Sequence, residues 1–365
     1  MLARRSTLRL PDGTEADLPL LVPSFSSKGF TLFPPRQAKS HLTRSALSTD
    51  LHEFGQTPSQ AVLISAFDLH FEYFQLPDEP SRNCLDWIPN VRVIFLDSGG
   101  YELAPYFDIS EPKTPPYHSR EDFGPTEYDK VLQRLGHRLR KRNFVVSNFD
   151  WGTRGQPLDQ QLAAARRLKR RHPNVLHNFI LKPWSASMTI VDPRKIAADG
   201  IGDIGGFDIV GVTEKELGID LLERLRRVAQ LRTALNGASI RSPIHVWGGL
   251  DPLLTPLYFF AGAQIFDGLS WLRYAYVDGL AVSRECASVL DLELGVEAPR
   301  RFAYPMTALR NRSYLERLTG YLQQWADYDG RNFTMFPRFI RGHLERAYKT
   351  MVTKIPELRE THHGR

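Results

Sequence analysis

Three aspartates stand where apolar runs give way to turn residues. Asp97 lies in Leu96-Asp97-Ser98-Gly99-Gly100-Tyr101, Asp150 in Asn148-Phe149-Asp150-Trp151, and Asp267 in Ile265-Phe266-Asp267-Gly268. A carboxylate so placed can act as a nucleophile at an anomeric carbon or as a general base, with a pKa set by burial and neighbours. Two carboxyl groups flanking a glycosidic bond can divide those roles. Each aspartate singly also suits an Asx turn at a strand-to-loop junction, but three at the ends of apolar runs point to shared chemistry. Gly99-Gly100 and Gly248-Gly249 permit close backbone approach to a flat ligand, and ordinary loops use the same pairs. Tyr101, Trp151, Trp184, Trp247 and Trp271 closely follow apolar runs. They read either as surfaces on which a base could stack or as core covering the end of the fold.

These side chains need a scaffold that brings distant segments together. Apolar runs at residues 18–23, 61–66, 91–97, 144–149, 177–182, 207–212, 243–247 and 263–267 alternate with amphipathic helical stretches. Such alternation predicts an α/β fold with a parallel sheet and crossover helices. Eight strands predict a (β/α)8 TIM barrel, whose chemistry sits at the C-terminal ends of the strands. The three aspartates then converge on one mouth. Residues 158–171 and 217–235 repeat apolar positions at helical spacing with basic residues around them, most simply as solvated faces. The expected organisation is a barrel domain over 1–288 and a helical extension over 289–365 packed on it. The extension should hold helices near 313–328 and 337–353 and a frayed end over 357–365. Residues 106–125, rich in proline and charge, read as a loop or lid beside the site.

Composition narrows the function classes. The 365 residues are 42% hydrophobic and 24% charged, enough for a large core. No apolar run reaches membrane-spanning length, so no membrane partner is expected. The first residues lack an apolar segment of the signal-peptide kind. The two cysteines, Cys84 and Cys286, exclude a disulfide framework and a thiolate zinc site, so no metal and a cytoplasmic location are expected. The net charge of +6 favours a polyanionic partner through phosphate contacts, although many soluble proteins are mildly basic.

Between about Pro19 and Gly279 the chain resembles the tRNA-guanine transglycosylase family, which includes enzymes that place 7-deazaguanines in DNA. Asp97-Ser98-Gly99-Gly100-Tyr101-Glu102 is similar to the family's Asp-Ser-Gly-Gly-Phe-Gln. His245-Val246-Trp247-Gly248-Gly249-Leu250-Asp251-Pro252 is similar to its His-x-x-Gly-x-Gly-x-Pro, and Gly262-Ala263-Gln264-Ile265-Phe266-Asp267 to its Gly-x-Asp-x-Phe-Asp. Order and spacing match.

The resemblance implies roles. Asp267 would be the nucleophile that attacks C1′ and expels guanine, and Asp97 would handle the proton of the leaving and incoming bases. Asp150 would read the amino-pyrimidine edge, and Tyr101 would stack on the base. Gly211 and Val212 would form a backbone site, Glu216 would help choose the base substituent, and Arg273 would hold phosphate. The implied reaction replaces guanine in tRNA or DNA by a 7-deazaguanine through a covalent aspartyl-sugar intermediate. It needs no cofactor, because one N-glycosidic bond replaces another. The target nucleotide must leave its stack, with Arg273 and the basic helices binding the backbone.

The sequence also departs from the family. Its zinc site of three cysteines and one histidine is absent. Lys182 stands at its base-reading glutamine; lysine only donates, which suits a carbonyl or a phosphate. A second phosphate-binding arginine falls on Tyr276, and Ser26-Ser27-Lys28-Gly29-Phe30 is altered. The alternatives are a non-catalytic nucleic-acid-binding partner subunit of such an enzyme, disfavoured by the presence of both Asp97 and Asp267, and a barrel glycosidase acting on small molecules. A homodimer or a partner subunit is compatible with the missing zinc element.

Overall fold

The structure, a computed structural model, describes residues 2–28, 46–74, 84–104, 122–185, 187–290 and 300–363. Most of the expected lid, residues 105–121, lies outside the described residues, as do Gly29 and Phe30. Twelve strands are described: β1 (Ser6–Arg9), β2 (Glu15–Leu18), β3 (Leu20–Phe25), β4 (Ser59–Ser65), β5 (Val91–Asp97), β6 (Asn143–Ser147), β7 (Leu176–Leu181), β8 (Ile209–Thr213), β9 (Ile244–Trp247), β10 (Ile265–Gly268), β11 (Ala275–Val277) and β12 (Leu280–Val282). Strands β3 to β10 close into a barrel in chain order, with every pairing parallel. This is a (β/α)8 barrel, and each expected strand lies within a few residues of an observed one.

The two-residue period of a strand separates the inside of the barrel from the outside. Val93, Phe95, Ile180, Ile209 and Ile265 pack together in an inner core. Ile94, Leu96, Phe179, Val210, Val212 and Phe266 belong to the core shared with the helices. Asp97 and Asp267 share the inward phase of Phe95 and Ile265. Lys182 follows Ile180 in the same phase, and Gly211 follows Ile209.

Two hairpins went unread in the sequence. The antiparallel β1–β2 pair adds Leu8, Leu10, Ala16 and Leu18 to the inner core. It closes the end where the barrel strands begin. Asn143 Nδ2, at the start of β6, donates to Asp12 Oδ2 at 2.8 Å, and Gln264 Nε2, just before β10, donates to Ser6 Oγ at 2.7 Å. The second hairpin, β11–β12, follows Asp267.

Helices Arg300–Asp327, Arg338–Lys354 and Pro356–His363 form the C-terminal extension. The end expected to fray is therefore helical through His363. Asn311 ties the extension to the segment after β10: its Nδ2 donates to Trp271 and Tyr274 carbonyls at 2.6 and 2.7 Å, and its Oδ1 accepts the Tyr276 amide at 2.7 Å. Trp325 is fully buried, with its ring centroid 4.0 Å from that of Phe260 and 5.1 Å from that of Tyr348. Cys84 and Cys286 are both free thiols. No helix among the described residues is long and apolar enough to cross a membrane.

Helix Leu158–Arg171 has the expected bounds, but its basic last turn lies away from the mouth. The chain returns there to the start of β7. Lys169 Nζ donates to Gly206 O at 2.8 Å and lies 3.3 Å from Asp208, just before β8. The expectation that this turn binds a polymer backbone beside the active end is corrected by that geometry.

Replacing Trp325 with alanine removes the aromatic that joins the extension to the barrel. The expected loss is about 3–5 kcal/mol, read as a lower urea midpoint. A loss below about 1 kcal/mol would show that the extension is not anchored through this ring.

Candidate active site

Asp267 ends β10 with its side chain inside the mouth, and donors from three other segments converge on it. Ser24 Oγ, from β3, donates to Oδ2 at 3.0 Å. The Gly248 amide donates to Oδ1 at 3.1 Å, and His245 Nε2, from β9, lies 3.0 Å from the same oxygen. Gly248 holds a φ of +78° in the turn after β9, a conformation that glycine adopts without strain. The imidazole of His245 is completely buried and stacks on Trp247, with ring centroids 4.4 Å apart. Asn178 Nδ2 lies 2.7 Å from His245 Nδ1. With the amide donating there, Nε2 carries the ring proton and donates to Asp267. Sequence reading assigned no role to Ser24, Asn178 or His245. Their only signal is an inward strand phase, and for His245 also the motif it opens.

Asp97 meets the opposite conditions. The Gly99 amide donates to its Oδ2 at 3.2 Å. Burial, then the negative neighbours Glu102 and Asp150, and after them Asp267, push its pKa well above the usual carboxylate range. Gly99, at φ +93°, turns the chain into the short helix Gly100–Leu103. A Cβ on Gly100 would stand 2.5 Å from Asp150 Oδ1. The close approach expected for a flat ligand at this glycine pair is thus made by Asp150 itself.

Asp150, Lys182 and Glu216 form one unit. Asp150 Oδ1 accepts the Ser98 hydroxyl at 2.7 Å, and its Oδ2 lies 2.9 Å from Lys182 Nζ. Lys182 also donates to Thr213 Oγ1 at 2.9 Å and to Glu216 Oε2 at 3.1 Å. Three partners account for all three ammonium protons. Burial opposes the ammonium, but Asp150 and Glu216 outweigh it and hold its pKa above that of a free lysine. The expectation that Lys182 offers its donors to a base or phosphate is therefore corrected: it bridges the two acids expected to read the base.

Gly211 lies between Asn178 and Trp247, where a Cβ would come within 2.6 Å of Asn178 Oδ1 and Trp247 Nε1. The Val212 side chain faces the helices, so only its backbone could serve a ligand.

Tyr101 and Arg273 meet at the rim. Arg273 donates to the Tyr101 hydroxyl at 2.9 Å. Lys28 Nζ lies 4.4 Å from the Tyr101 ring centre and donates to Tyr101 O at 2.8 Å. One face of the ring therefore carries a cation. Trp247 and Trp271 are buried, and Trp271 Nε1 donates to Ser24 O at 3.0 Å, so these two rings support the strands that carry the site. Trp151 is 38% exposed and Trp184 is half-buried. Tyr276 is buried, with its hydroxyl 2.6 Å from Ser270 Oγ.

No protein-family model matches this chain, and no curated protein matches it.

A carboxyl whose native pKa is raised gives its full stability below its unfolded pKa and loses it as pH rises through the native value. The ionised form of Asp97 therefore costs stability at higher pH. Asp97→Asn should unfold at a higher temperature than wild type at about pH 8, with the gain shrinking toward about pH 4. A gain of the same size at both values would refute the raised pKa.

Proposed function

We propose that this chain is a base-exchange transglycosylase, replacing guanine in a nucleic acid by a 7-deazaguanine. One observation carries the reading: two inward aspartates share a mouth in contrasting surroundings. Asp267 receives a hydroxyl, an amide and an imidazole donor, whereas Asp97 is buried against other acids. Two carboxyls whose environments differ in this way can act as anion and acid at one centre.

In the first half-reaction an Asp267 oxygen attacks C1′ of the nucleotide. The C1′–N bond breaks, its electron pair leaves with guanine, and the Asp97 proton neutralises the leaving base. In the second half-reaction the incoming base yields a proton to Asp97, its nitrogen bonds to C1′, and the aspartyl–sugar bond breaks. Asp97 ends as it began, and the strand stays intact. Asp150 and Glu216, aligned by Lys182, present carboxylate oxygens suited to the N–H donors of a guanine edge. Arg273 and Lys28 supply positive charge near the mouth. The polymer is tRNA or DNA, the two classes that the motif resemblance implies. The alternative of a non-catalytic partner subunit gives no reason for three donors to be aimed at Asp267.

The test is incubation of the protein with tRNA, duplex DNA or single-stranded DNA, together with labelled guanine or 7-cyano-7-deazaguanine. Label is expected in one polymer, with a covalent protein–polymer adduct in denaturing gels. Asp267→Asn should abolish both, and Asp97→Asn should slow exchange by about a hundredfold or more. A folded wild-type protein that labels no polymer would exclude the proposal.

A further inference from the structure

Glu102 is a buried acid that the exchange chemistry leaves without a role. It stands in the short helix after Asp97, and serine hydroxyls take both of its oxygens. Ser26 Oγ donates to Oε1, and Ser65 Oγ donates to Oε2 at 2.8 Å. Ser65 is the register partner of Asp97 between β4 and β5. Glu102 is therefore suspended over the strand pair that carries Asp97. A third buried acid, Asp68, accepts the Ser27 amide at 2.8 Å beside it. The family motif quoted above has glutamine, an uncharged residue, at this place.

We propose that Glu102 is a positioning residue that decides which of two neighbouring buried carboxyls carries the proton: held between Ser26 and Ser65, it stays the anion and makes Asp97 the acid of the mouth. Two carboxyls in a dry site cannot both ionise freely. Glu102 has two hydroxyl donors and the positive charge of Lys28 in its favour, whereas Asp97 has one amide. The groups acting on Asp97 are Glu102, Asp150 and Asp267, with the buried Tyr128 phenol also near. Those acting on Glu102 are Ser26, Ser65 and Lys28, and Glu102 in turn raises Asp68 as well as Asp97. Burial raises both carboxyls, but the serines and Lys28 pull Glu102 back, so the shared proton falls to Asp97. Its use, donation to a leaving base, rests on the exchange reaction proposed above; its location does not.

The experiment is infrared titration of the protonated-carboxyl bands in the ligand-free full chain. Asp97→Asn identifies the Asp97 band. In Glu102→Gln the midpoint of that band should fall by about one pH unit or more, a roughly tenfold fall in the ratio of protonated to ionised Asp97 at a fixed pH. Circular dichroism checks the fold. Glu102 ionises while Asp97 still holds its proton, so Asp97→Asn should leave the Glu102 midpoint nearly where it was, which tests the proposal even where Glu102→Gln does not fold. An Asp97 midpoint unmoved in folded Glu102→Gln, or a Glu102 midpoint that falls in Asp97→Asn, overturns it. A lowered Asp97 midpoint without polymer labelling would remove the exchange reading and leave the Glu102–Asp97 coupling standing.

Discussion

The ammonium of Lys182 lies between Asp150 and Glu216, three side chains from three successive strand ends and loops, nearly all of it out of water. Without that cation, two partly buried carboxylates would face each other in a medium that screens them less than bulk water does. Removing one partner of a buried ion pair typically costs about 3–5 kcal/mol because the remaining charge is left uncompensated. The clamp therefore fixes more than its own geometry. It sets the height of Asp150, which fills the space left by Gly100 and so helps to seat the turn that follows Asp97. It also leaves Asp97 facing acids, with no ammonium proton of Lys182 to spare.

The mouth as a whole is an arrangement of negative charge with three distinct compensations. Asp267 is held by a hydroxyl, an amide and an imidazole, Asp150 and Glu216 by a lysine, and Glu102 by two serines. Asp97 has the weakest compensation, in keeping with its raised pKa. Such a site is unfavourable for folding, and the rest of the molecule must tolerate it. The β1–β2 hairpin seals the opposite end with apolar side chains, and the C-terminal extension anchors the segment after β10 through Asn311. Both contributions lie far along the chain from the aspartates whose positions they secure.

These long connections explain what the sequence does and does not reveal. Each barrel strand is an apolar run bounded by turn residues, so all eight were legible, and β5 was legible to its exact ends. Asp97 and Asp267 stood out because charge at the end of an apolar strand is expensive to place without purpose. The hairpins are different. β1 and β2 have four residues each, five of the eight polar or charged, too short for periodicity to separate from loop. The Lys182 clamp depends on the β7–β8 register across 34 residues of sequence separation, which no local pattern encodes. Glu102 read as one member of a motif, whereas its environment comes from Ser26, just after β3, and Ser65, at the end of β4.

The same reasoning separates net charge from binding surface. The excess of +6 first suggested basic helices along a polymer. In the fold, Arg166, Lys169 and Arg171 are paired with Asp203, Asp208 and Asp129, and Lys169 lies at the end where β8 begins. Exposed pairs of this kind contribute little to stability, but they do neutralise the charge that composition counts as basic. The cations near the mouth are fewer, and Arg273 and Lys28 are both organised around Tyr101. On the proposed reaction, a flipped nucleotide approaching Asp267 would meet, among the described residues, two oriented cations around one aromatic ring. On that reading, the shape and hydrogen-bonding edge of the extruded base supply specificity that backbone contacts do not carry.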